Sequence, residues 1–307
     1  MPQTLHIDLP HSGPLRLTDH TPYHGGDLAG LQQLIGGTLL DTAAAGADVS
    51  LCPPEHPIPA DAAPTGLAAV CYDAGRPAFY WRIKHPAAAE KKIMRWRHLL
   101  LLGCLARLLN GDPLMVMHGV LLETRSGGGL LLCGQSGMGK STTAARWQNG
   151  GGICRADDMI LLDCRHDVLQ AHPMPTWSRC LRSTDGEYFP ITEAVPVRQL
   201  LALDRAADTE CLKPVEDYRF FLAVYASCSC FVDQYGKWLP DAARRQLIAR
   251  SQTVARMLCD RFPPVGLFAH LQGDLHRTLL PFDDDRDFPA RPASAPDTPP
   301  EPPAGRE

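Results

Sequence analysis

Gly134-Gln135-Ser136-Gly137-Met138-Gly139-Lys140-Ser141-Thr142 is the stretch on which the reading of this chain turns. The apolar run Leu130-Leu131-Leu132-Cys133 feeds it and the helix-prone Thr143-Ala144-Ala145-Arg146-Trp147 leaves it, an order that predicts strand, glycine loop and helix. The spacing G-x-x-x-x-G-K-S is that of a phosphate-binding loop, whose glycines let successive backbone N–H groups turn inward around phosphate oxygens. Lys140 is then placed to reach the β- and γ-phosphates, and the Ser141 hydroxyl to ligate Mg²⁺. The helix that begins here adds its partial positive end to the same anion site. The rival reading is a plain glycine turn, but composition predicts only about 0.004 chance matches to this pattern in 307 residues. Lys140 has no lysine near it in sequence to share its role.

Downstream, Gly150-Gly151-Gly152 ends the loop helix and Ile153-Cys154-Arg155-Ala156 is a short strand that delivers Asp157-Asp158. Adjacent residues of an extended segment point to opposite sides, so the two carboxylates are expected to do different work. One is read as holding Mg²⁺, directly or through water, and the other as a base facing an attacking hydroxyl. An exposed Asp-Asp turn is the alternative. The apolar residues on both flanks argue against it, because buried carboxylates are costly unless they are used. Upstream, Leu114 to Leu122 reads as one strand, and the Ser126-Gly127-Gly128-Gly129 turn makes it an antiparallel neighbour of the strand that enters the loop. His118 lies within it; by default a hydrogen-bonded core histidine, beside a phosphate site it can position a phosphoryl group or tune an acid.

With these blocks in view a family resemblance emerges. His118-Gly119-Val120-Leu121-Leu122-Glu123, then Gly129 through Ser141, then Gly152-Ile153-Cys154-Arg155-Ala156-Asp157-Asp158 resemble the catalytic domain of HPr kinase/phosphorylase in order and spacing. The resemblance covers about residues 114 to 171. It implies an α/β fold: a P-loop kinase core of the HPr kinase/phosphoenolpyruvate carboxykinase type, with a mixed sheet and flanking helices. It also implies ATP and Mg²⁺ as cofactors and a serine hydroxyl as acceptor. By the same resemblance Asp157 is the base, Lys140 and Ser141 serve phosphate and metal, Asp158 lies close to the metal, and His118 sits at the site edge. Gly134, Gln135, Ser136, Gly137, Met138, Gly139, Lys140, Ser141 and Thr142 would hold the nucleotide. The family's downstream signature near L-E-V-R-G-x-G is not found; Ala171-His172-Pro173-Met174-Pro175-Thr176-Trp177-Ser178-Arg179 stands there instead. The chain is therefore more similar to diverged HPr-kinase-related proteins of peptide-modification clusters, including the SynChlorMet cassette type. The family's hexamers leave a homo-oligomer open.

Residues 1–92, rich in Pro, Gly, Ala and His, are read as a small N-terminal α+β unit, with strands at Leu5–Leu9 and Ala78–Ile83 and a helix over Leu28–Leu40. The catalytic domain is read as 93–282. Its first helix spans Ala87 to Asn110, with Ile93, Trp96, Leu100, Cys104 and Leu108 on a face that covers the sheet. Val197–Leu203 and Val265–Leu271 read as strands, Asp241–Arg261 and Asp274–Leu280 as helices, and Tyr218–Phe231 as strand or helix. Arg179 and Arg182 are candidate clamps for a phosphate or an acidic peptide. The Pro-rich acidic tail, 283–307, has too few apolar residues to offset ordering entropy and is expected to be disordered.

A net charge of −4 without a basic run gives no attraction to nucleic acid, and no apolar stretch reaches the ~20 residues needed to span a bilayer. Eleven cysteines, an odd number, after an opening Met-Pro-Gln-Thr read as reduced cytoplasmic thiols. Cys228-Ser229-Cys230 and the six histidines before residue 92 lack zinc-site spacing. Three functions stay in play: a kinase acting on a serine of a small protein or peptide, a nucleotide-binding regulatory or delivery module without phosphotransfer, and a small-molecule or carboxykinase-like enzyme.

Overall fold

The computed structural model describes residues 2–9, 13–21, 26–43, 46–67, 69–83, 89–165, 167–175 and 189–283. Among them are two mixed sheets and six α-helices. The first sheet contains β1 (Gln3–Leu9), β2 (Gly13–Asp19), β3 (Thr38–Leu40), β4 (Val49–Cys52), β5 (Ala63–Pro64), β6 (Val70–Asp73) and β7 (Ala78–Arg82), in the order β3-β1-β2-β4-β7-β6-β5. Helix α1 (Gly26–Ile35) lies between β2 and β3 in sequence. The helix expected over Leu28–Leu40 is thus cut short. Gly36 and Gly37 take positive φ values of 79° and 102°, which ends the helix and lets the chain turn into β3.

Helix α2 (Ala89–Leu109) links this sheet to the rest of the chain. The sequence suggested a half-exposed helix, but Leu99, Leu100, Leu101, Leu102, Leu105 and Leu108 are all buried. The second half of the helix, from Leu99 on, is apolar nearly all round and so belongs inside, and α2 contacts β2, β4 and β7 of the first sheet as well as the second sheet. Each of these leucines contributes roughly 1.5–3 kcal/mol of burial. One core cluster therefore runs from Leu5 and Leu17 through α2 to Leu161, Phe220 and Leu258.

The second sheet comprises β8 (Leu114–His118), β9 (Val120–Glu123), β10 (Gly129–Cys133), β11 (Ile153–Ala156), β12 (Met159–Asp163), β13 (Gln170–Pro173), β14 (Val195–Arg205), β15 (Cys211–Pro214) and β16 (Val265–Ala269). Its main path is β11-β9-β10-β14-β13-β12-β8, with β16 beside β14 and β15 beside β16. β9 and β10 are antiparallel, as their short glycine connection requires, whereas β10 and β14 are parallel. Side chains alternate along β10: Leu131 and Cys133 enter the large core, while Leu130 and Leu132 enter a second one. The first face carries α4 (Asp217–Tyr235) and α5 (Asp241–Arg261). The other carries α3 (Lys140–Asn149) and α6 (Leu275–Asp283). Covering both faces explains why these strands read as nearly unbroken apolar runs.

Three further expectations change. Tyr218–Phe231, compatible in sequence with strand or helix, is part of α4, whose buried Phe220, Val224, Ser227, Phe231 and Tyr235 recur at three or four residues. The stretch Ala171 to Arg179, whose prolines suit a loop, begins within a strand, β13, paired with β12. Leu114–Leu122 is not one strand but two, β8 and β9, divided at Gly119. β8 pairs with β12, and β9 with β10 and β11. Arg179, Arg182 and the tail beyond Asp283 lie outside the described residues.

Candidate active site

β10 ends at Cys133 and the loop 134–139 turns directly into α3. Gly134, Gly137 and Gly139 have φ values of 151°, 84° and 99°, backbone conformations that L side chains rarely adopt, so glycine is required at all three. The loop is held from three directions. The Gly134 N–H donates to the buried Ser227 hydroxyl of α4 at 3.1 Å, and Arg205, at the end of β14, donates to the Gly137 carbonyl at 2.5 Å. Lys140 folds back over the loop, its Nζ donating to the carbonyls of Gly134 at 2.7 Å and Gln135 at 3.0 Å. Burial pushes the Lys140 amine below its ordinary pKa, against the opposing influence of Cys133, Cys230 and Asp158.

Asp157 and Asp158 do not close an extended strand, as the sequence suggested. They form a bend between β11 and β12, beside the break at Gly119 that separates β8 from β9. The two breaks are tied together, since the Gly119 N–H donates to the Asp158 carbonyl at 3.0 Å. A Cβ on Gly119 would lie 2.8 Å from the Leu132 carbonyl oxygen, too close for any side chain without backbone movement. On the far side Arg155 of β11 pairs with Glu123 of β9 at 2.6 Å, securing the strand that delivers the acids. A bend separates the two carboxylates by environment instead of by strand face: Asp157 is buried, while the Asp158 side chain is about a quarter exposed.

His118, last residue of β8, lies opposite Met159 in the register of β8 and β12. Its Nε2 stands 3.9 Å from the nearer Asp158 carboxylate oxygen, beyond hydrogen-bond range. Burial, with the charges of Lys140 and Arg97, lowers its pKa to about 4, so at neutral pH the imidazole is uncharged and the contact is no ion pair. The Asp158 carboxyl is raised by burial and secondarily by Asp157, while Arg97 and Lys140 act against the rise. The structure therefore brings Lys140, His118 and Asp158 into one electrostatic cluster, with Asp157 alongside Asp158.

Two members of this cluster were not anticipated from the sequence. Arg97 comes from α2, far upstream, and Cys230 from α4, where its thiol is raised by burial and by Asp158. No local pattern marks Arg97, which sits in the run Arg95-Trp96-Arg97-His98. Cys230 belongs to the Cys-x-Cys pair, but on a helix residues two apart diverge. Cys228 instead enters the core beside Cys133, Cys164 and Cys259.

Ser141 and Thr142 are exposed at the start of α3, beside a cavity of about 460 Å³. Met138, Gly139, Thr142 and Arg146 form one wall of it; Arg205, Ala206, Ala207, Ala269, His270 and Leu271 form the other. Arg146 is fastened there by Glu210, which accepts from Nη1 at 2.6 Å and Nη2 at 3.2 Å, and Nη2 also donates to the Gly273 carbonyl at 2.7 Å. Glu210 in turn accepts from the His270 N–H at 3.2 Å. The α3 helix is further anchored by Trp147, stacked on His276 of α6 at 4.2 Å and donating to the Ile153 carbonyl at 3.1 Å.

Among the described residues no group of three or more His, Cys, Asp or Glu side chains could hold a metal ion. The oxygen donors near the loop, the Ser141 hydroxyl and the Asp158 carboxylate, suit a hard cation that completes its shell with water and ligand oxygens, the manner of Mg²⁺. No disulfide joins the ten described cysteines. No helix of the described residues is long and apolar enough to cross a membrane.

No curated protein matches the chain. Among solved structures, the Hpr(Ser) kinase/phosphatase from Coxiella burnetii is similar over 33% of this chain and 77% of that chain, at 15% identity and a TM-score of 0.23, too low to establish a shared fold. The model of the family described as SynChlorMet cassette protein ScmC matches residues 82–261, from the end of β7 through α2, the glycine loop and the acid bend to the end of α5. That match takes in more than half of the 307 residues, and the chain belongs to the SynChlorMet cassette protein ScmC family.

Proposed function

We propose that this chain is an ATP- and Mg²⁺-dependent kinase of the cytoplasm that transfers the γ-phosphoryl group to a hydroxyl, a serine of a small protein or ribosomally made peptide. The observation that carries this reading is the meeting of a positive-φ glycine loop, bridged by Lys140, with the Asp157–Asp158 bend and His118. The resemblance of these three blocks to HPr kinase supplies the acceptor class. Residues 134–142 are the phosphate cradle of a P-loop core, and the cavity over Thr142 and Leu271 is of a size to take the nucleoside.

Asp157 would accept the proton of the acceptor hydroxyl as that oxygen bonds to the γ-phosphorus; the β–γ bridging oxygen keeps its electron pair and departs with ADP. Ser141 and Asp158 are the residues that would hold Mg²⁺, which when bound neutralises phosphate charge. Neutral His118 would orient by hydrogen bonding without adding charge. Nothing in the reading calls for nucleic acid or a membrane, and a homo-oligomer is compatible with it.

The test is mass spectrometry of serine-containing peptides and small proteins after incubation with the chain, ATP and Mg²⁺. A phosphopeptide is expected, with Asp157→Asn keeping nucleotide binding and losing transfer by about 10²–10⁴-fold. Full transfer by Asp157→Asn would show that the base is misassigned. Nucleotide binding with no phosphorylated acceptor would leave a binding module, a reading that the missing downstream signature supports and the Asp157–Asp158 pair opposes. A phosphorylated metabolite in place of a peptide would mark a small-molecule kinase.

A further inference from the structure

Helix α2 touches both sheets, and its middle carries Arg97. The residues on either side of Arg97 are held by aromatic packing. The Trp96 ring lies so close to Gly30 of α1 that a Cβ there would be 2.2 Å from it. His98 donates from Nδ1 to the Met94 carbonyl at 2.7 Å, and its ring sits edge-on to Trp81 of β7 and Tyr235 of α4, at 5.9 and 6.2 Å. The backbone that carries Arg97 is thus fixed before any ligand arrives, the condition for a preorganised binding group.

The guanidinium itself is not used up by the protein. Its Nε is buried with no hydrogen-bond partner, and among the described residues Arg97 makes no ion pair with Asp158 within 4.0 Å, although its charge is felt by Asp158, His118, Cys230 and Tyr235. A buried donor left without a partner is destabilising, so its retention here calls for an explanation. A guanidinium held in that state, its charge felt by Asp158 and His118, suits an anion with several oxygens, which it can take through two parallel N–H bonds. Arg97 and Lys140 both act on Asp158 and His118, but they come from different elements, α2 and α3.

We propose that Arg97 is a second cation of the phosphoryl site, binding the terminal phosphate of a nucleoside triphosphate from the α2 side while Lys140 holds the loop side. This rests on the nucleotide reading above and adds a specific property to it: Arg97 distinguishes tri- from diphosphate. Lys140 and the loop amides reach phosphates that ATP and ADP share as well as the terminal one, whereas Arg97 meets only the one that ADP lacks.

The experiment is isothermal titration of ATP and of ADP, each with Mg²⁺, into the full chain and into its Arg97→Gln, Arg97→Lys and Lys140→Ala variants, with thermal unfolding of each. Arg97→Gln is expected to weaken ATP by about 10- to 100-fold while ADP stays within about twofold, with Arg97→Lys in between. Lys140→Ala should weaken both nucleotides. If Arg97→Gln weakens both nucleotides equally, or neither, the assignment of Arg97 is overturned while the nucleotide site stands. The assignment is equally overturned if Arg97→Gln and Arg97→Lys lower the unfolding temperature together and ADP affinity falls with it, since that marks a structural arginine. If the wild-type chain binds neither nucleotide, the nucleotide reading fails and this proposal with it.

Discussion

The two flanks of the glycine loop are built on different plans. On one, Lys140, His118, Asp157, Asp158, Arg97 and Cys230 converge from two strand breaks and three helices, and half-buried charges shift one another. On the other, a cavity of about 460 Å³ opens between α3 and the ends of β14 and β16, lined by alanines, Met138, Leu271 and two arginines, one held by Glu210 and the other by the Gly137 carbonyl. The first flank concentrates charge at points where strands stop, in places secured by buried backbone bonds. The second offers space and apolar surface. In a phosphoryl-transfer site the former arrangement suits the reacting phosphate, whose stabilisation is electrostatic, and the latter suits a nucleoside, which needs area and few polar contacts.

Mutations that damage one flank and spare the other put this division to the test. The largest effect is expected from Glu210→Ala. The Glu210 side chain is 2% exposed and pairs with Arg146 through two bonds, so truncation strands a half-buried guanidinium and should cost about 3–5 kcal/mol in urea unfolding. Nucleoside-dependent affinity should fall while the relative affinities for ATP and ADP stay unchanged. A loss under about 1 kcal/mol, or a change in the ATP to ADP ratio, would mean that the flanks are not independent.

Gly119→Ala attacks the opposite flank. Its Cβ would press on the Leu132 carbonyl, and the bond from the Gly119 N–H to the Asp158 carbonyl would stretch as the strands part. A destabilisation of about 1–3 kcal/mol is expected, with turnover reduced more than nucleotide affinity. Equal loss of both in steady-state and binding measurements would contradict the division.

The smallest effect on either flank is expected from Asp48→Asn, a control just before β4 of the first sheet. Asp48 is buried, and burial lifts its carboxyl to about 6. Because the folded value lies above the ordinary one of 3.8, the folded state favours the protonated form. The penalty for ionising it is absent below about 4 and grows as pH rises to about 6, so it is fully present above that. Asp48→Asn should remove this component of the pH dependence, read from Tm between pH 4 and 7, without altering nucleotide binding. An unchanged pH profile would show that Asp48 ionises freely in the fold.

Legibility from the sequence followed the range of the interactions. Strand, glycine loop and helix over residues 130–147 were readable because each signal is local: an apolar run, glycines at spaced positions, helix formers. So were the two long helices at Ala89–Leu109 and Asp241–Arg261, which carry periodic apolar residues and end before Pro113 and Pro263. Gly119 looked like an ordinary residue of one strand, because the Leu132 carbonyl that forbids a side chain there comes from a neighbouring strand. Asp157–Asp158 looked extended, since the bend follows from β12 leaving β11 to pair with β8. α2 looked half-exposed because nothing local announces that a second sheet covers its other side.

The amino-acid order alone determined the loop, its lysine and the paired acids, since these depend on backbone freedom and on residues adjacent in the chain. Only tertiary structure decided which distant groups share their space: Ser227 beneath Gly134, Glu210 on Arg146, and Arg97 beside Asp158. The physical reason is that a titratable or hydrogen-bonding group takes its character from burial and from charges a few ångströms away, and those neighbours are set by packing across separations of 60 to 93 residues along the chain.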